Sequence, residues 1–206
     1  MARQKASANQ AEARTDTRIA LLEAAEDCLR SHGYAGLSTR RVADAARMPL
    51  SQIHYHFGSK DALVLALLEY QNSKLLDRQE ATFAAGLPLS ERWAKACDYL
   101  DEDLASGYVR VLQEMIAVGW SNPEVAAAVR RFLSGWHGLL LALATEAEER
   151  FGGLGPLTPH DVANLIGAAF MGAESMILLD FEDHGVNVRR ALRRFGVLIH
   201  SAEQAR

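Results

Sequence analysis

Residues 37–63, LSTRRVADAARMPLSQIHYHFGSKDAL, decide the fold of this chain. Ser38 can cap a short helix over Thr39 to Ala46, because its hydroxyl oxygen can accept from N–H groups that a helix start leaves open. Val42, Ala43 and Ala46 give that helix an apolar face at helical spacing. Arg47-Met48-Pro49 forms a tight turn, and proline suits the first position of the next helix, where a missing N–H costs nothing. The second helix runs from about Leu50 to His56, with Ile53 and Phe57 one turn apart on its buried side. Ser51, Gln52, Tyr55 and His56 remain on open faces. Short polar groups there are what base-edge and phosphate contacts require, so the pattern predicts a DNA-reading helix-turn-helix.

Working outward, Ile19, Leu22, Ala25 and Leu29 form the buried stripe of a first helix from about Thr15 to His32, which Gly33 ends. Residues 1–14, rich in Ala, Gln and Ser, read as a flexible N-terminal arm. Ser59 caps a long fourth helix that carries Leu63, Leu67 and Tyr70 on one face and stops near Gly86-Leu87-Pro88. Ser90 caps a helix from Glu91 to about Ser106, and Tyr108 to Trp120 is the next. Asn122 and Pro123 open a helix to Arg150. Thr158, Pro159 and Asp161 open another, to about His184. The last runs from Val188 to Ala205. With no strand pattern, the expected class is all-α: a helix-turn-helix domain over 15–60 and a larger helical domain over 61–206.

The stretch from about Thr17 to Leu68 resembles the DNA-binding domain of the TetR family of bacterial transcriptional regulators. Leu37-Ser38-Thr39-Arg40 leading into Val42-Ala43, the block Ile53-His54-Tyr55-His56-Phe57, and Ser59-Lys60-Asp61-Ala62-Leu63 carry the resemblance. Two positions depart from it. Arg47 stands where the family usually has a small residue, often glycine, and His54 where it most often has tyrosine. The resemblance implies DNA roles for Thr39, Arg40, Ser51, Gln52, His54, Tyr55, His56 and Lys60. Gln52 suits direct readout, since its amide can pair bidentately with adenine. Lys60 suits phosphate. It also implies a homodimeric repressor of a palindromic double-stranded DNA operator, released by a small-molecule effector. The last two helices would pair with their copies through Ala169, Ala173, Val188, Leu192, Phe195 and Ile199.

Charge agrees with a DNA-facing N-terminal end. The chain of 206 residues has a net charge of −4, yet residues 1–60 carry nine Lys and Arg against six Asp and Glu. That end is +3 and the remainder −7. Local field, and not total charge, steers DNA. Composition is that of a globular protein. Cys28 and Cys97 lie far apart, match no metal or redox spacing and read as small buried residues of a reducing cytoplasm. No signal peptide is evident, and the longest apolar run, Leu139 to Ala144, is too short to cross a bilayer.

Large apolar residues spread over the second domain suggest a pocket between helices. Tyr108, Met115, Trp120, Phe132, Trp136 and Phe170 would supply its walls, with His137 and Glu174 as polar groups, for an effector that is largely apolar or aromatic. No cofactor or metal is implied. His160-Asp161 lacks the further ligands of a metal phosphohydrolase, the glycines at 152, 153 and 155 follow no strand, and no nucleophile elbow is present. A helical-bundle enzyme and a DNA-independent helical interaction module are the rival readings.

Overall fold

The computed structural model describes residues 2–83, 86–181 and 187–205, with side chains from Arg14 onward. Among these residues the chain is all helix and turn. It divides into two compact units, residues 1–71 and 72–206.

The first unit contains α1 (Ala2–Gly36), α2 (Thr39–Ala45), α3 (Leu50–His56) and the start of α4 (Lys60–Phe83). Helix α1 begins at Ala2, where the sequence suggested an arm over 1–14 and a start near Thr15. Gly33, at φ 66, breaks its helical course as expected. Leu21, Leu22, Val42, Ile53, Leu63 and Leu67 are fully buried and supply the side chains on which α1 to α4 converge. Ser38 Oγ accepts from the Arg41 N–H at 3.2 Å, which fixes the start of α2. Ser59 Oγ does the same for Ala62 at 3.1 Å and starts α4.

The second unit contains the rest of α4 with α5 (Leu89–Ser106), α6 (Tyr108–Gly119), α7 (Pro123–Phe151), α8 (Pro159–Leu178) and α9 (Val188–Gln204). Helix α8 ends at Leu178, short of the expected His184, because the chain turns at Asp180, which takes φ 55; residues 182–186 lie outside the described residues. Helix α5 packs on α9, and α7 packs on both α6 and α8. Asn122 Oδ1 accepts from the N–H groups of Glu124 and Val125 at the start of α7. Thr158 and Asp161 form the reciprocal capping box of α8. These hydrogen bonds to Asp161, which no burial opposes appreciably, hold its carboxyl below the usual carboxylate range.

Ser90 is a correction. Helix α5 begins at Leu89 after Pro88, and its first N–H groups are met by Glu203 of α9, whose carboxylate accepts from Leu89 N at 2.6 Å. The core holds Trp93, Cys97, Leu100, Phe170, Ala173 and Leu192. Trp93 Nε1 donates to the Leu192 carbonyl at 2.6 Å, joining α5 to α9. Gly196 permits this approach, since a Cβ there would lie 2.9 Å from Trp93 Cδ1. Both cysteines are free and buried.

Helix α8 is long and apolar enough to cross a bilayer by length and composition, which the short apolar runs of the sequence did not suggest. Its inner side carries Ala163, Phe170 and Ala173 into the core. Its outer side leaves Leu165, Ala168, Ala169, Gly172, Met176 and Leu179 exposed.

Candidate nucleic-acid interface and cavity

In the first unit the turn between α2 and α3 brings together the polar residues singled out in the sequence. Arg47 takes φ 55, the left-handed conformation that accounts for a small residue being usual there. Pro49 sits at the cap of α3, with φ −60 and ψ 142, one residue before the expected position. Ile53 anchors α3 in the core, while Phe57 is half-buried. This orientation leaves Ser51, His54 and Tyr55 exposed, Tyr55 by 62%, and Gln52 and His56 half-buried. Arg40 and Arg47 are exposed and Thr39 is half-buried.

Two arginines of α1, overlooked in the sequence, flank this surface. The Arg14 guanidinium lies 5.4 Å from the Tyr55 ring centroid and that of Arg18 lies 5.6 Å from the Phe57 ring. Burial, then the charges of Arg14 and Arg18, lower the His56 pKa. His56 is therefore neutral at pH 7, a hydrogen-bonding group and not a charge. His54 Nδ1 lies 3.3 Å from the Gly58 carbonyl. Lys60 has intramolecular partners: its Nζ donates to the Tyr34 carbonyl at 2.9 Å and lies 4.0 Å from the Tyr34 ring centroid.

The second unit encloses a cavity of about 360 Å³, within the range of small-molecule sites. Of the residues expected to line it, Tyr108, Phe132, Trp136, Phe170 and Glu174 do so. Met115 does not, being fully buried in the core. Trp120 is 83% exposed. His137 lies outside as well, its Nε2 2.9 Å from Asn164 Oδ1. Leucines of α4 and α7, with Trp93 and Tyr99 of α5, complete the apolar wall.

The polar lining comes mainly from residues the sequence did not mark. Arg92 is 4% exposed and donates through Nη1 to Glu146 at 2.6 Å. Arg78, itself 4.0 Å from the Tyr99 ring centroid, donates to both oxygens of Asp103, at 2.9 and 3.1 Å. Burial pushes Asp103 up to about 6 against the pull of Arg78. Glu174 accepts from Gln113 Nε2 at 2.8 Å, and burial pushes its carboxyl up to about 7. Burial, then Asp103 and Glu174, also raise the Tyr108 phenol. Sequence spacing carries no signal for these partners, which meet across five helices.

Of the residues expected at a subunit interface, Ala173 and Leu192 belong to this unit's core, and Val188 and Ile199 pack against it. Phe195 is part exposed but stacks on Trp93 with ring centroids 5.0 Å apart. Ala169 alone of the six is on the open outer side of α8.

The family model described as bacterial regulatory proteins, tetR family, matches residues 21–67. The transcriptional repressor AcnR of Corynebacterium glutamicum is 35% identical over 63 residues, which are 31% of this chain and 34% of that protein. The chain thus matches about a third of that relative's length. The fold is shared with the transcriptional regulator FadR of Bacillus subtilis, solved with stearoyl-CoA, at a TM-score of 0.71 and 14% identity. That similarity covers 89% of this chain and 98% of FadR. A putative transcriptional regulator of Saccharomonospora viridis, solved with choline, gives a TM-score of 0.74 at 20% identity, over 88% and 95% of the two chains. Over the helix-turn-helix the chain is similar in sequence to the tetR family of bacterial regulatory proteins, and over most of its length it shares the fold of these solved regulators.

Proposed function

We propose that this protein is a cytoplasmic, ligand-responsive transcriptional repressor that binds a palindromic operator as a homodimer. The observation that carries the reading is α3, anchored by Ile53 and presenting Ser51, Gln52, His54 and Tyr55 outward. An exposed polar face on the second helix of such a pair is the element that enters a major groove. Arg14, Arg18, Arg40 and Arg47 supply positive charge for phosphate around it. Gln52 reads a base edge, and Thr39, Tyr55, His54 and neutral His56 serve as hydrogen-bonding groups to the backbone. Lys60 supports the interface from within by holding Tyr34.

The open side of α8 supports pairing with a second copy. Leu165, Ala169, Gly172, Met176 and Leu179 recur at helical intervals, and their small members allow close helix approach. Two recognition helices then meet half-sites about 34–36 Å apart or a multiple of that. The cavity receives the effector, a reading supported by its size and apolar lining and by the solution of FadR with stearoyl-CoA and of the S. viridis protein with choline. Occupancy shifts the dimer between geometries by no more than the ligand's differential affinity for them. Helix α4, which spans residues of both units, is the covalent path for the change.

The test is a gel-shift selection of genomic fragments at two salt concentrations. Recovery of a palindromic site, bound more weakly as salt rises, is the expected result. A purified protein that stays monomeric and shows no salt-sensitive affinity for duplex DNA would overturn the reading.

A further inference from the structure

We propose that the cavity takes an amphiphilic organic cation, its ammonium group against the Glu174 carboxylate and its apolar chain running along α5 toward Arg92. The inference rests on the effector reading above and names the ligand class for that site.

Three charged residues line the cavity among those described: Arg92, Asp103 and Glu174. Two already have an ion-pair partner. Arg92 is paired with Glu146, and Asp103 with Arg78. Glu174 is different, because its hydrogen bond comes from the neutral amide of Gln113 and no described Lys, Arg or His pairs with it. A carboxylate in an apolar wall without an opposite charge is costly to ionise. A bound cation offsets that cost.

The surroundings favour the same sign. Glu174 stands close enough to Asp103 and Tyr108 to act on their titration, so acceptors and acids gather at one end. Gln79 also lines the cavity, and its Oε1 is buried with no hydrogen-bond partner among the described residues. An ammonium N–H is the group such an acceptor lacks. Tyr108, Phe132 and Trp136 add aromatic rings, whose faces attract cations. The rest of the cavity lining is largely apolar. Arg92 and Asp103 lie eleven residues apart on α5, roughly 16 Å by helical rise. A head group at Glu174 therefore leaves room for a chain of about ten carbons on that same rise.

The rival anchor is Arg92, whose Nε has no partner and would attract a carboxylate head. Its charge, though, is met at 2.6 Å by the half-buried Glu146, a carboxylate that Arg150 shares. The two ends are distinguished by three probes of one length: decylammonium, decanol and decanoate. They are titrated calorimetrically into the full chain without DNA, below their micelle concentrations.

At pH 8 decylammonium is expected to bind at least about tenfold tighter than decanol, the factor that one charge pair in a desolvated site supplies. Glu174→Gln should remove that preference and leave decanol binding unchanged, which also shows that the variant folds. Binding to the wild type should tighten about fourfold from pH 6.5 to 8.5 as Glu174 ionises, a change lost in the variant. The groups facing Glu174 are Asp103 of α5 and Tyr108 and Gln113 of α6, with Arg78 of α4 acting on Asp103. Asp103 is ionised over most of that range and adds little slope. Preference for decanoate would place the head at Arg92 and overturn the proposal. Equal binding of all three would overturn it while leaving the cavity a ligand site. Binding of none would overturn the effector reading together with it.

Discussion

Glu174 illustrates how one side chain can weaken the fold that holds it. Its carboxyl titrates near 7, against 4.5 for an unperturbed glutamate. Between those values the folded chain holds a proton that the unfolded chain has released, so stability falls as pH rises through this window. Above pH 7 the whole cost is present. Glu174→Gln should therefore raise stability at pH 8 by about 1–3 kcal/mol and change it little at pH 4.5. Thermal denaturation of both proteins at the two pH values measures the difference. A variant no more stable than the parent at pH 8 would mean that burial of this carboxylate is not costly.

Gln52 and Lys60 sit eight residues apart and are expected to respond in opposite ways. Gln52→Ala removes a half-buried amide with no structural partner among the hydrogen bonds described, so stability should stay within about 0.5 kcal/mol. Operator preference at one base pair should fall by about 1–3 kcal/mol in gel shifts. Lys60→Ala removes both the hydrogen bond to the Tyr34 carbonyl and the contact with its ring. It should cost about 1–2 kcal/mol of stability, read from denaturant unfolding.

At the scale of the element, the turn before α3 carries strain that its residue identity explains. Arg47 adopts φ 55, where a Cβ crowds the backbone. Arg47→Gly should raise the melting temperature, by up to about 1 kcal/mol in stability terms, with glycine's greater unfolded-state freedom offsetting part of the gain. It should also weaken DNA binding most at low salt, since an exposed positive charge beside α3 is lost. The opposite case is Gly196, where Gly196→Ala would press a methyl group on Trp93. A loss of about 1–3 kcal/mol is expected from such overpacking.

Elements were legible in the sequence where their determinants are local. Ser38, Asn122 and Thr158 each bond to backbone within three residues, and each marks its helix start correctly. Ser90 misled because the N–H groups of α5 are met by Glu203, 113 or 114 residues away. The cavity walls were half legible for a related reason. Helical periodicity reports which face is buried, and says nothing of whether that face meets a void or another side chain. Met115 has the apolar character of a wall residue but fills the core. On α9, periodicity likewise does not say what the stripe meets: Leu192 lies in this unit's core and Ile199 packs against it. Exposed apolar residues lie on the outer side of α8 and, at Phe195, Val197 and Leu198, on α9 as well.

For the whole molecule, assembly can be tested apart from folding. A Cβ at Gly172 would meet nothing within 4 Å in this subunit, and the residue lies mid-face on the open side of α8. Gly172→Glu should leave the isolated subunit folded, with helix propensity slightly improved. It should also place a charge where two copies would meet closely. Sedimentation should then show a folded monomer, and gel shifts a loss of palindrome binding. A variant that remained dimeric would move the interface elsewhere.

The placement of the chain's three tryptophans has a practical consequence. Trp93 and Trp136 line the cavity, while Trp120 stands 83% exposed on the far side of no such wall. A soluble quencher such as iodide should reach the outer indole and spare the inner two. Trp120→Phe would then leave an ultraviolet emission that comes from the cavity walls alone, an optical readout of occupancy that needs no attached dye.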